Sequence, residues 1–394
     1  MNKFYFSKYI VWVAFLIFNF SFLISFAQDT IKIETIKSIK DIPHKTVWQK
    51  WMWIHRSVAF NIIKERPVFY DTTYIKSYKK SLVITLPLST RFLDFTLTDW
   101  KTKNHLDYYP NIEYDLGLSI NSHWASFLVN TGVKVLNRDN EIFGKTQYKD
   151  YQFNLYGKKI TTDAFFQDYK GFYIVNSKSY SGYTSDKLFA IRPDVRAVSL
   201  GLNSYYIFNY KKFSYRNSFA FIETQKKGAG SLLVGGYFSV FGASSDTTLV
   251  PFPFRANFDS SAYIKAGSNF TIGSNIGYIQ TFVFFKKTCY ITFSLVQGLG
   301  TEQTTYTRDD NSIYKSATNL SSKINVRLAY GFNAGKFYAG TMLMADTYLF
   351  SSVKSETKFN YGVGKGRVFC GYRFSYQKAE RKLLRKLNLI DYRL

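Results

Sequence analysis

From about Ser81 to Gln377 the chain alternates apolar and polar residues with a period of two, in runs longer than soluble sheets use. Between residues 111 and 121 the apolar set is Ile112, Tyr114, Leu116, Leu118 and Ile120, and the intervening set includes Glu113, Asp115, Gly117 and Ser119. Residues two apart share one face of a strand, so two faces this different require two different surroundings. Candidate strands cover 89–98, 111–121, 124–136, 148–157, 163–175, 195–208, 213–224, 230–242, 269–284, 288–300, 320–333, 336–350 and 358–376. Strands in globular proteins usually have about five or six residues. A tilted strand crossing a bilayer needs ~9–11 residues within the hydrocarbon, which suits the lengths here.

The second face decides between a packed core and a wet interior. Opposite Ile324, Val326, Leu328, Tyr330 and Phe332 stand Asn325, Arg327, Ala329 and Gly331. In 269–284 the lean face is Thr271, Gly273, Asn275 and Gly277. A soluble sandwich needs two apolar inner faces, and neither lean face supplies one. In lipid an open sheet edge has no water to satisfy it, so the sheet must close. The expected fold is all-β: an antiparallel transmembrane β-barrel of about 12 strands, within a range of roughly 10–14. Short connections, Asn121-Ser122-His123, Lys286-Lys287 and Asn333–Lys336, contrast with long polar ones at 176–193 and 301–319. That asymmetry fits short periplasmic turns and long outer loops.

The N-terminus carries an address. Lys3 and Lys8 precede an apolar run from about Tyr9 to Ile24, and Ser25-Phe26-Ala27 supplies the small residues a signal peptidase reads. Residues 1–27 are expected to be a signal peptide, cleaved between Ala27 and Gln28. Residues 28–80 form a separate N-terminal periplasmic segment, in which Trp48, Trp51, Met52, His55, Val58 and Ile62 approach helical spacing and Pro67 ends the run. This amphipathic helix either lies on a membrane surface or packs on the barrel mouth. The barrel is expected over 81–377, followed by a basic tail, 378–394, with Leu383, Leu384 and Leu387 on one helical face.

Composition narrows the function. A formal charge of +25 attracts polyanions, but the basic residues are dispersed and match no nucleic-acid-binding motif, so the expected anionic partners are outer-membrane lipid and lipopolysaccharide. An aromatic fraction of 19% suits interfacial girdles. Two cysteines, Cys289 and Cys370, are too few for a disulfide framework, and one bridge between them is the most they allow. No cofactor or metal cluster is evident. His44, His55, His105 and His123 lie before the barrel or in turns and form no nucleophilic pattern with Ser and Asp. Asp309-Asp310 suits a solvated loop tip or a cation ligand, and "GVGKGR" at Gly362–Arg367 suggests a bend or bulge. The lumen-facing candidates are Asp94, Glu113, Asp115, Asn325, Arg327 and Arg373, tuning an aqueous path or forming a hydrogen-bonded plug. A narrow lumen favours the plug.

The segments "YDTTYIKSYKKSLVITLPLSTRF", "YYPNIEYDLGLSI", "QDYKGFYI", "TFVFFKKTCYITFSLVQGLG" and "RVFCGYRF" resemble the family called domain of unknown function 4421, in order and across most of residues 70–374. The resemblance implies an outer-membrane β-barrel of a Bacteroidetes-type bacterium and brings no catalytic residues. The final alternating strand also resembles the signal by which barrel assembly machineries recognise clients, although the chain continues past Phe374. The favoured reading is a non-enzymatic integral outer-membrane barrel, a structural, surface-binding or small porin-like protein. The alternative is a barrel enzyme acting on lipid or lipopolysaccharide.

Overall fold

The computed structural model describes residues 70–78, 81–111, 114–121, 126–132, 139–315, 318–350 and 357–375. The leader with Ala27 and Gln28, the Trp-rich helix with His44 and His55, Glu113, His123 and the basic tail lie outside the described residues. Long strands follow one another in an antiparallel meander. A short β1 (Ile75–Ser77) precedes β2 (Ser81–Asp99), β3 (His105–Tyr109), β4 (Tyr114–Asn121) and β5 (Ser126–Gly132). One helical turn, α1 (Asn140–Phe143), leads into β6 (Gln147–Tyr156), β7 (Ile160–Ile174) and β8 (Ala190–Ile207). Then come α2 (Tyr215–Phe219), β9 (Glu223–Gln225), β10 (Ala229–Ser244), β11 (Ile264–Phe284) and β12 (Cys289–Arg308). β13 (Ile313–Lys315), β14 (Asn319–Ala334), β15 (Phe337–Phe350) and β16 (Thr357–Ser375) complete the order.

The sheet closes. β16 pairs with β2 along its whole length, from Ser81↔Ser375 to Asp99↔Thr357. The ring runs β2, β16, β15, β14, β12, β11, β10, β8, β7 and β3, which is 10 strands rather than 12. β3 joins β7 through only Tyr108↔Ile174 and Tyr109↔Tyr173. Below that junction the β4–β5 pair hangs from β2, and β6 hangs from β7. Among the described residues β5 and β6 are not paired with each other, and so they add to the ring without lengthening it.

The count also falls because 213–224 is no wall strand. Ser214 adopts an extended backbone and its side chain accepts from the Asn217 amide, capping α2, and β9 pairs only with β1. The expected loop at 301–319 is mostly wall as well, since β12 continues to Arg308 and the turn is tightened by β13. No bulge interrupts Gly362–Arg367: β15 and β16 pair there without a shift. Those glycines make room instead, and a Cβ on Gly364 would stand 2.3 Å from the Phe92 ring. The register shifts instead at Ile264/Ala266, and a bulge falls at Lys170/Phe172. It needs Gly171, whose φ is +93° and whose Cβ would meet the Lys145 carbonyl oxygen at 2.2 Å.

Ser81, Ser375 and the short turns 157–159, 285–288 and 335–336 share one end, called lower here. Connections 175–189, 245–263 and 309–318 crowd the upper end. Polarity changes sign along the wall. On β2 the outward residues from Leu82 to Phe92 are Leu82, Ile84, Leu86, Leu88, Thr90 and Phe92; above them come Asp94, Thr96 and Thr98. On β12 outward Ile291, Phe293, Leu295 and Leu299 give way to Thr301, Gln303, Thr305 and Thr307. Inside, the order reverses: Thr85, Ser89 and Arg91 lie below Leu93, Phe95 and Leu97. The lower barrel is apolar outside, and the upper barrel has an apolar core.

Candidate functional site: a filled lumen and its charged chamber

Three layers of side chains occupy the lumen. In the upper layer Phe95 stacks on Tyr108 at 4.5 Å, and Tyr361 lies between Phe241 and Tyr348, each ring centroid 4.4 Å away. Loop 245–263 caps this column with Leu249, Val250, Phe254 and Phe258, all buried. The Tyr108 hydroxyl donates to the Leu249 carbonyl, and Arg192 donates to the Thr248 carbonyl at 2.8 Å. Tyr180 packs on Phe254 and Phe258 at 5.4 and 5.5 Å. Outside the barrel, Asp259 ties the cap down: its carboxylate accepts from Ser261 and from Lys101 at 3.1 Å, and these bonds hold its pKa down at about 2.

The lower mouth is stopped by 208–228. Phe213, Tyr215, Phe219 and Phe221 turn inward and are buried. Phe221 stacks against Phe369 at 4.1 Å and Tyr338 at 5.4 Å. Arg373 anchors it, donating to the Phe221 carbonyl at 3.0 Å and to Asn333 Oδ1 at 2.9 Å. Ser218 and Thr292 share a hydrogen bond of 2.6 Å, and the Tyr215 hydroxyl accepts from Arg327. The residues that made this segment look like a strand are the ones that fill the mouth.

Between cap and plug lies a charged chamber enclosing about 410 Å³, counting the part open to solvent. β14 contributes Arg327, whose Nη2 is 2.6 Å from Asp163 Oδ2 on β7 across the lumen. Lys323 stands 3.7 Å from Asp346 on β15 and donates to Asn203 on β8. The Asn325 amide donates to the same Asp346. Nearer β2, Arg91 pairs with Asp115 at 2.6 Å and Asp150 at 3.7 Å. Asp150 also accepts from Gln167 at 2.7 Å and Tyr169 at 3.0 Å. Arginine's fork lets Arg91 serve two carboxylates from one strand.

Among the sequence candidates, Asp115, Asn325 and Arg327 line this chamber or its wall, and Arg373 lies apart at the plug. Asp94 does not face the lumen. It alternates with buried Leu93 and Phe95 on the other face of β2, beside Gly362. It stands above the level where polarity reverses, so the apolar residues around it point inward. Sequence reasoning missed Lys323, Asp163, Asp346 and Lys365. Their signal was a charged residue inside an otherwise strict alternation. His105 is exposed, with Nε2 3.6 Å from Asp107. Asp309 is engaged by Arg255 at 2.9 Å and Lys265 at 3.8 Å, and Asp310 accepts from the Ser312 amide. Cys289 and Cys370 are both free. No cluster among the described residues has the composition of a metal site.

The family model for a domain of unknown function, DUF4421, matches residues 69–374. The chain belongs to that family. The match spans the whole ring together with β1, the plug and the cap, so the filled lumen is part of the matched region. No curated protein matches the sequence. Among solved structures the chain is similar to the outer-membrane protease OmpT of Escherichia coli, at 9% identity and a TM-score of 0.36, covering 76% of this chain and 98% of that one. The toluene transporter TodX of Pseudomonas putida gives 7% identity and a TM-score of 0.21 over 75% and 89% of the two chains. An anion-selective porin of Comamonas acidovorans gives 8% and 0.15 over 75% and 99%. At these scores none of their activities transfers to this chain.

Proposed function

We propose that the chain is an integral outer-membrane β-barrel without enzymatic activity, exported after cleavage between Ala27 and Gln28, whose filled lumen makes it a binding or structural protein rather than an open pore. The observation that carries this reading is the outward apolar belt on consecutive strands of a closed ring. Leu86, Leu116, Ile276, Leu295 and Val368 each leave about half their surface open on its outside. A closed barrel in water would hide such residues; one in a bilayer needs them. The belt is surrounded by lipid, with lipopolysaccharide meeting the upper, polar wall, and the aromatic, alternating β16 serves the assembly machinery. A Gram-negative envelope of the Bacteroidetes type belongs to the same reading.

Cap and plug favour binding over conduction, because each is bonded to the wall at several points. The enzyme alternative finds no nucleophile, base and orienting acid in one place among the described residues. Envelope fractionation tests the location: the protein is expected in the outer membrane, with a heat-modifiable gel band and Gln28 as its first residue. Purified protein in planar bilayers is expected to be silent. Recovery in the soluble periplasm would sink the membrane reading, and steady single-channel steps would replace the binder by a channel.

A further inference from the structure

We propose that the mid-lumen chamber binds a small organic monoanion, a carboxylate whose head is held by Lys365 and whose apolar body rests on Phe165, Met344 and Val363. The inference rests on the closed-lumen reading above and adds the ligand class. Five cations face this region: Arg91, Lys323, Arg327, Lys365 and Arg367. Four carboxylates answer them: Asp115, Asp150, Asp163 and Asp346. Each carboxylate is already engaged, Asp115 and Asp150 by Arg91, Asp163 by Arg327, and Asp346 by Lys323. Among the described residues one positive charge is therefore in excess, and because Arg91 takes two carboxylates, two cations are left without one.

The Lys365 ammonium donates to a single neutral acceptor, Asn154 Oδ1, at 3.1 Å. Arg367 Nε donates to Ser89 Oγ at 3.2 Å. Neither has a carboxylate within ion-pair distance among the described residues. Yet Lys365 is 7% exposed. A buried charge without a partner is costly, so the site favours a ligand that brings one negative charge. Lys365 and Arg367 are two apart on one face of β16, about 7 Å along the strand, a span a carboxylate and its hydration can bridge. Gln152 and Asn154 on β6 add neutral polar groups to the same wall. The remaining wall supplies Phe165, Met344 and Val363.

The test uses the full mature chain refolded in detergent micelles, titrated calorimetrically with sodium butyrate at constant ionic strength. Tetramethylammonium chloride is the cationic counterpart of similar size. Butyrate is expected to bind saturably at one site per barrel, with affinity falling at least tenfold in K365Q and measurably in R367Q. Heat-modifiable migration reports whether each variant has folded, and R367Q carries the test if K365Q does not fold. Absence of saturable butyrate binding, equal affinity in the folded variants, or preferential binding of the cation would each overturn the proposal. Such a failure with the protein still in the outer-membrane fraction refutes the site alone, whereas recovery in the soluble fraction refutes the membrane reading.

Discussion

Leu295→Arg and Gln303→Arg on β12 separate the membrane reading from any soluble one. Both side chains point outward on one strand, and Leu295 leaves 49% of its surface exposed. Strand rise near 3.3 Å and a tilt near 40° give an advance of about 2.5 Å per residue along the barrel axis. The outward series on this strand, Ile291 to Leu299 with Gln297 as its polar member, then covers roughly 20 Å, close to the ~25 Å apolar band of outer-membrane barrels. Leu295 sits at its centre, and Gln303 stands about 10 Å above its upper edge. Arginine facing lipid costs about 2–4 kcal/mol at the midplane and about 0–1 kcal/mol near the interfaces. Leu295→Arg is therefore expected to lower unfolding free energy by about 3 kcal/mol and Gln303→Arg by less than about 1 kcal/mol. Denaturant titration of protein refolded into phospholipid vesicles measures both, read by the fraction of heat-modifiable band. Near-equal costs in vesicles would refute the placement of the belt. So would finding the same difference in micelles and in a detergent-free soluble state.

Three further outcomes follow from particular contacts. Arg327→Met strands Asp163 in the lumen, so unfolding should become easier by about 3–5 kcal/mol, and the double variant R327M/D163L should recover most of that loss; an unchanged denaturation midpoint in R327M would contradict the ion pair. In the turn after β11, Phe285, Lys286 and Lys287 have φ of 47°, 52° and 72°, a conformation costing roughly 1–2 kcal/mol per non-glycine residue. Lys287→Gly should therefore stabilise the barrel by about 1 kcal/mol, and a lower midpoint in the same titration would show that the turn is not strained. Asp259 has a folded pKa of about 2, below the ordinary carboxylate value of 3.8. A depressed carboxylate stabilises fully above the unfolded value and loses its contribution as pH falls through the folded one. Asp259→Asn should thus lower stability above about pH 4, where the carboxylate is ionised, and the two proteins should converge as pH falls to about 2; an identical acid limb in the two proteins would exclude that role.

The period of two was legible because lipid, lumen and pleat all impose it, and it survives from β2 to β16. Its sign was not legible. Alternation says that Leu93, Phe95 and Leu97 share a face; it does not say whether that face looks out to hydrocarbon or in to a core. Below Phe92 the apolar parity points outward, and above it inward, so a single rule applied along β2 puts Asp94 on the wrong side. Residues 213–224 failed for a related reason. Phe213, Tyr215, Phe219 and Phe221 have odd-number spacing suited to a strand, but they fill a cavity that only the closed ring creates. The local sign of that outcome was Ser214, a helix cap within the supposed strand. Polar pairing across the lumen, the Asp163–Arg327 ion pair or the hydrogen bond from Asn203 to Asp346, joins residues more than 100 positions apart, and no local pattern encodes it.

Strand length explains why the interior had to be filled. β11 has 21 residues and β12 has 20, spanning about 50 Å along the axis at about 2.5 Å each. On the membrane reading proposed above, lipid accounts for roughly half of that. On the same reading the upper half stands in water, where a hollow tube would expose both faces of its wall. It gains stability only by burying one of them, and the stacked column of Phe95, Tyr108, Phe241 and Tyr361 beneath the 245–263 cap is that buried face. The plug of 208–228 does the same work below, against Tyr338 and Phe369. What remains between the two stoppers is a charged stretch of the lumen, whose ions are mostly paired to each other across the barrel. A transport pathway would have to break both stoppers and the Asp163–Arg327 pair together. A binding chamber needs none of those changes, and it makes use of Lys365, a buried ammonium with no carboxylate partner among the described residues.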